Sequence, residues 1–169
     1  EYKIFETHAH YDDEWYDDDR RELLSRLLDT DISFITNIGA DIETSKNSVK
    51  LSDEFERMLA AVGVHPDNIG CMEALPEKEG IEILRNLAKH PKVVAIGEIG
   101  LDYFEREPEE KNKTVRERQK YWFLEQLKLA KELNKPVVIH SRDAAEDTYN
   151  ILKDFGYNKG VIHCYSYSP

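Results

Sequence analysis

Apolar residues along this chain fall into short, nearly unbroken runs, separated by stretches in which they recur every three or four positions. Six such runs predict strands over residues 3–7, 32–38, 58–64, 93–99, 136–140 and 160–163. Most lack strict alternation, the pattern of parallel strands covered on both faces. Helical spacing fills the gaps. Leu23, Leu24, Leu27 and Leu28 form one stripe, Ile42 and Val49 mark a weaker second helix, and Ile81, Leu84, Leu87 and Ala88 mark a third. Thr114 and Glu117 read as a capping box ahead of Phe123, Leu127 and Ala130. A fifth helix carries Thr148, Ile151, Leu152 and Phe155, and Gly156 stands where a C-cap glycine belongs.

Strands alternating with helices predict an α/β fold of the TIM (β/α)8 barrel type, whose ligands come from the carboxyl ends of successive strands. No linker, low-complexity stretch or close repeat divides the chain, so residues 1–169 are expected to form a single domain. A closed barrel has eight strands, and only about six βα units are legible. The barrel is therefore expected to be truncated after the sixth strand, leaving a strand edge and apolar surface uncovered unless something else covers them. The opening Glu-Tyr-Lys-Ile-Phe lacks an initiator Met and the layout of a signal peptide. The start is thus expected to be processed or trimmed.

Composition narrows the function classes. Hydrophobic residues make up 40% of the chain, which suits a packed core, and no apolar run approaches the roughly 20 residues of a bilayer helix. No membrane partner is expected. Cys71 and Cys164 are widely spaced, which fits a reduced, cytoplasmic protein better than a disulfide scaffold. A net charge of −11 counts against a surface that coats nucleic acid. It leaves room for a nucleic-acid enzyme whose positive charge comes from bound metal ions.

Chemistry gathers where the apolar runs end. His8 and His10 form an HxH pair, and residues i and i+2 of a strand face one side, so both can hold one metal. Glu98 lies in an apolar run between two glycines, where a carboxylate is costly unless paired or metal-bound. It can bridge two cations, or pair with an Arg or Lys inside the barrel. Asp102 follows it, suited to a turn or to orienting a ligand histidine. His140 and His163 end the fifth and sixth runs and are candidate ligands. Arg142 is a candidate phosphate clamp, or a salt-bridge partner of Asp143 or another carboxylate. Asp143 is expected to N-cap the next helix. His65 reads as a substrate contact, an acid/base helper or a loop histidine without a role. Cys164 is expected to face away from His163 and to pack. His90 is expected at an exposed helix end. Imidazoles with a carboxylate suit a transition-metal site, with zinc favoured as the occupant and manganese or magnesium as alternatives.

The stretches ETHAHYDDE, AAVGVHPDN, VVAIGEIGLDY, KPVVIHSRDA and VIHCYS run in order along the chain. Through them the chain resembles the TatD family of metal-dependent hydrolases, the TatD-type deoxyribonucleases, within the amidohydrolase-like TIM barrels. The resemblance implies that His8, His10 and Glu98 hold one metal. It implies that Glu98, His140 and His163 hold a second, with Glu98 bridging and with His65 and Arg142 near the substrate. It also implies hydrolysis of DNA phosphodiesters, or of a small phosphodiester, by water activated between two divalent ions, with Glu98 and His65 as catalytic residues. The family's last ligand is an aspartate at the end of the eighth strand, and no such segment stands in this sequence. Two other readings stay open. One is hydrolysis of another small ester or amide at the same metal site; the other is an inactive fragment lacking that aspartate. The oligomeric state is not legible.

Overall fold

The structure is a computed structural model describing residues 3–76, 78–104 and 109–167, with the side chains of residues 109 and 110 outside the description. Parts of the sequence reading at Glu1, Tyr2, Ser168 and Pro169 lie outside the described residues. Six strands alternate with helices, β1 Ile4–Ala9, α1 Arg20–Leu28, β2 Ile32–Ile38, α2 Ile42–Glu54, β3 Met58–Val62, α3 Gly70–Glu73, α4 Glu79–Leu87, β4 Val93–Asp102, α5 Glu109–Glu132, β5 Val137–Arg142, α6 Ala145–Phe155 and β6 Gly160–Ile162. All adjacent strands pair in parallel, in the order β1-β2-β3-β4-β5-β6.

The sheet is curled rather than flat. A flat sheet would hold β1 and β6 roughly 24 Å apart, five spacings of about 4.8 Å each. Instead the His8 ring at the end of β1 stacks on the His163 ring just past β6, with centroids 3.5 Å apart. Alternation along the strands then defines an inside and an outside. Ile38, Ala61, Ala95 and Val138, one from each of β2 to β5, form a small inner cluster. Their neighbours Ala60, Val62, Val137 and Ile139 pack outward with Leu84, Phe123 and Leu127 of the helices.

Several expectations change in detail. The Thr114 capping box does not start a helix, because α5 begins at Glu109 and Thr114 lies inside it. Asp143 does not cap α6. It has φ 53°, and Ala144 occupies the cap position without a side-chain bond. Cys164 does not pack: it is exposed in a turn, with φ 48°. His90 is half-buried, its Nε2 3.1 Å from Asp53 Oδ1. Gly156 does end α6 in the left-handed conformation, with φ 66°. Among the described residues no helix is long and apolar enough to cross a membrane.

Candidate metal centre

Five of the six histidines gather at one end of the sheet, around Glu98. What aims Glu98 there is an irregularity in β4. Ile96 pairs with Val137 and Ile99 with Ile139, so Gly97 and Glu98 together stand opposite Val138 alone. Such a bulge re-aims a side chain. Close packing permits it: a Cβ on Gly97 would lie 2.6 Å from Val138 Cβ. At Gly100, φ is 142° and a Cβ would lie 2.0 Å from the His140 carbonyl oxygen, so only glycine fits.

Glu98 is nearly fully buried. Its Oε1 meets His140 Nδ1 at 3.1 Å, and its Oε2 lies 3.3 Å from His8 Nε2 and 3.9 Å from His10 Nε2. Burial alone would raise its pKa, but hydrogen bonds from His140 and His8 outweigh that and hold the carboxyl well below its ordinary range. His140 is placed between two carboxylates, with Nε2 3.0 Å from Asp102 Oδ2. Burial works against its charged form, yet Glu98 and Asp102 raise its pKa above the ordinary value. For His163 burial and the neighbouring His8 lower it.

The first strand's pair is fixed differently. His10 Nδ1 lies 2.9 Å from the Ile38 carbonyl oxygen, to which it donates. That leaves Nε2 as the lone-pair nitrogen, 3.1 Å from His8 Nε2. His8 Nδ1 is buried without a hydrogen-bond partner. Buried Asn37 of β2 holds the loop that follows: its carbonyl oxygen accepts Tyr11 N–H at 2.6 Å, and its amide donates to Asp12 Oδ1 at 2.7 Å and Ser48 Oγ at 2.8 Å. Sequence reasoning passed over Asn37, although a polar residue late in an apolar strand was a usable signal.

These donors suit divalent metal ions. The nitrogens of His8 and His10 and Oε2 of Glu98 are 3.1–3.9 Å apart. Ligands at 2.0–2.1 Å from a tetrahedral ion stand about 3.3–3.4 Å apart. Among the described residues, two groups offer donor atoms within 4.8 Å of one another: His8, Glu98 and His163, and His65, Glu98 and His140. Glu98 belongs to both. The structure thus brings His163 against His8, and the His65 ring edge-on to His140 at 4.2 Å. His65 lies three residues past β3, and its Nδ1 accepts Asp67 N–H at 3.1 Å. Burial, then His140, lowers its pKa. Arg142 ends β5 at the rim, its guanidinium 3.9 Å from the Phe104 ring centroid.

Comparison with known proteins adds the family. The profile of the TatD-related DNases matches residues 5–169. The chain belongs to that family. It is 38% identical over 167 residues to the uncharacterized metal-dependent hydrolase YabD of Bacillus subtilis, covering 96% of this chain and 61% of the relative. It is 33% identical over 150 residues to the 3'-5' ssDNA/RNA exonuclease TatD of Shigella flexneri, covering 88% of this chain and 54% of that protein. The crystal structure of YJJV, a TatD homologue from Escherichia coli, superposes with a TM-score of 0.83 at 31% identity, covering 98% of this chain and 61% of the other. A TatD family hydrolase from Entamoeba histolytica, at 24% identity, shares the fold with a TM-score of 0.83, covering 98% of this chain and 59% of that one. The TatD-family chain described here therefore spans about 54–61% of the length of these curated relatives.

Proposed function

We propose that this chain carries the metal centre of a TatD-type hydrolase acting on phosphodiester bonds in DNA. The observation that carries the proposal is Glu98, a buried carboxylate whose two oxygens face imidazoles on opposite sides. His8, His10 and Glu98 would hold one divalent ion, and Glu98, His140 and His163 the second, with zinc as the favoured occupant and manganese or magnesium as alternatives. Two such ions, when bound, lower the pKa of a shared water toward neutrality and polarise a phosphoryl oxygen.

The chain's own groups prepare that chemistry. Asp102 accepts a hydrogen bond from His140 Nε2–H, which would leave Nδ1 beside Glu98 as the coordinating nitrogen. His65 lies close enough to count as a ligand, but its hydrogen bonding argues for another role. With Nδ1 accepting Asp67 N–H, the neutral ring carries its proton on Nε2. A protonated nitrogen donates; it does not coordinate. His65 is therefore suited to donate a hydrogen bond from Nε2 to the departing or a phosphoryl oxygen, and burial with the neighbouring His140 favours that neutral ring. Arg142, at the rim, would meet substrate.

The test is hydrolysis by zinc- or manganese-loaded protein, before and after chelation, of a DNA oligonucleotide, a bis-aryl phosphodiester and an aryl carboxylate ester. Metal-dependent cleavage of both phosphodiesters, lost in Glu98→Gln, is expected. Cleavage of the carboxylate ester alone would move the reading to another small ester or amide. Bound metal with no hydrolysis of any of the three would overturn it in favour of an inactive fragment.

A further inference from the structure

At the rim beside His140, Phe104 is 48% exposed although it is a large aromatic. Exposed Arg142 lays its guanidinium against the ring, 3.9 Å from the centroid. Next to them opens a pocket of about 410 Å³ lined by Tyr103, Phe104, Arg116 and Asp143. That volume lies within the roughly 300–1,000 Å³ of small-ligand sites. Arg116 stands over the Tyr103 ring, 4.9 Å from its centroid.

This corner is tied directly to the metal centre. Asp102 Oδ1 accepts the Phe104 N–H at 2.9 Å, while its Oδ2 meets His140 Nε2 at 3.0 Å. One carboxylate thus fixes both the ring-bearing backbone and a ligand histidine. Tyr103 N–H donates to the Arg142 carbonyl at 2.8 Å, locking the ends of β4 and β5 side by side. On β5, Arg142 and His140 are two residues apart and face the same way.

We infer that the Phe104–Arg142 pair is a stacking platform for a nucleobase of single-stranded nucleic acid, next to the scissile linkage. The inference rests on the phosphodiester reading above and names what holds the strand. Flat aromatic and guanidinium faces stack on any base, whereas a base inside a duplex has no free face to offer. Charge favours the same device. With a net charge of −11, the protein cannot draw its affinity from general attraction to phosphates, and stacking does not require it.

Fluorescence anisotropy on the metal-loaded chain tests this, using a labelled tetrathymidylate with hydrolysis-resistant phosphorothioate linkages. The control probe has the same backbone with abasic sugars. The base-bearing probe should bind about 5- to 100-fold more tightly than the abasic one, the range of a single base–aromatic stack. Phe104→Ala should bring that ratio close to one. Phe104→Leu, which keeps apolar bulk and loses the ring, should do most of the same. Equal binding of the two probes by the unmodified chain overturns the platform, as does a ratio that survives both substitutions. Hydrolysis of an ordinary oligonucleotide is scored separately. A base-dependent ratio without cleavage sinks the nuclease reading and leaves the platform standing, and cleavage without base dependence does the reverse.

Discussion

The candidate metal centre has two halves built in opposite ways. Glu98, His140 and Asp102 sit on β4 and β5, inside the sheet, with buried strand residues on either side. His8, His10 and His163 sit on or beside β1 and β6, the two ends of the strand order. There Ile4 is 55% exposed and Val161 51%. In the inner half His140 is held between two carboxylates, Glu98 and Asp102. In the outer half the rings of His8 and His163 hold each other, and His8 Nδ1 has no partner. His140 is thus oriented through both ring nitrogens, whereas in the outer half His10 is fixed by the Ile38 carbonyl and His8 keeps one ring nitrogen unpartnered. Metal should stabilise the outer half more, because binding energy there is also ordering energy.

The largest effect should come from Glu98, which belongs to both candidate ligand groups. Glu98→Gln removes the single charge that both candidate sites share and turns one of its two oxygens into an amide nitrogen that does not coordinate. It should cut hydrolysis by more than the roughly 10- to 100-fold typical of outer-shell partners. Metal content, measured by elemental analysis, should fall at both sites together. Retention of one full metal equivalent would mean that the halves are independent and that Glu98 serves only one.

The halves should differ in stability too. Phe123 of α5 is fully buried in the main core, and Phe123→Ala should cost about 3–5 kcal/mol. Phe5 on β1 is half-exposed, touching Phe34 edge-on at 6.0 Å. Phe5→Ala should cost about 1 kcal/mol or less, the worth of such a pair. Urea midpoints of the two variants measure this, and equal losses would remove the distinction between inner and outer strands. Asp102→Asn acts more gently on the inner half. It keeps the size of the side chain but loses the charge facing His140 Nε2, so metal affinity should drop by about 10- to 100-fold. The fold should be unaffected.

The inner half was also the more legible in sequence. The run 93–99 announces a buried strand because it is apolar, and Glu98 stands out in it because a lone carboxylate there needs a partner. The run did not show that β4 continues to Asp102, since Glu98, Gly100 and Asp102 break the apolar pattern. Nor could periodicity show which rings meet. His65 and His163 lie past the ends of β3 and β6, and there local turns, not strand alternation, set direction. Helix α5 starts before its apolar stripe does, so the first legible cap signal, at Thr114, was already inside it. Phe104 escaped notice because an aromatic after a strand says nothing of exposure until the strand ends are in register.

The smallest expected effect concerns how the inner half is braced from outside. Tyr103 OH donates to Asp147 Oδ2 at 2.7 Å, and Lys120 Nζ lies 2.9 Å from the same oxygen, so β4, α5 and α6 meet at one carboxylate. Hydrogen bonds from Tyr103 and Lys120 hold the Asp147 pKa below its ordinary 3.8. A carboxyl whose pKa is lower when folded contributes stability above its unfolded value, and loses it as pH falls through the folded one. Its side chain is 37% exposed, so solvent screening keeps the contribution small. Asp147→Asn should therefore lower the urea midpoint slightly at pH 6, and the gap from the unmodified chain should narrow on approaching pH 3. A gap that stays constant across that range would mean that the brace works through packing and hydrogen bonding, with no share from the carboxylate's charge. An equivalent substitution of Asp53, whose carboxylate meets His90 away from the metal centre, supplies the control for acid effects common to the whole fold.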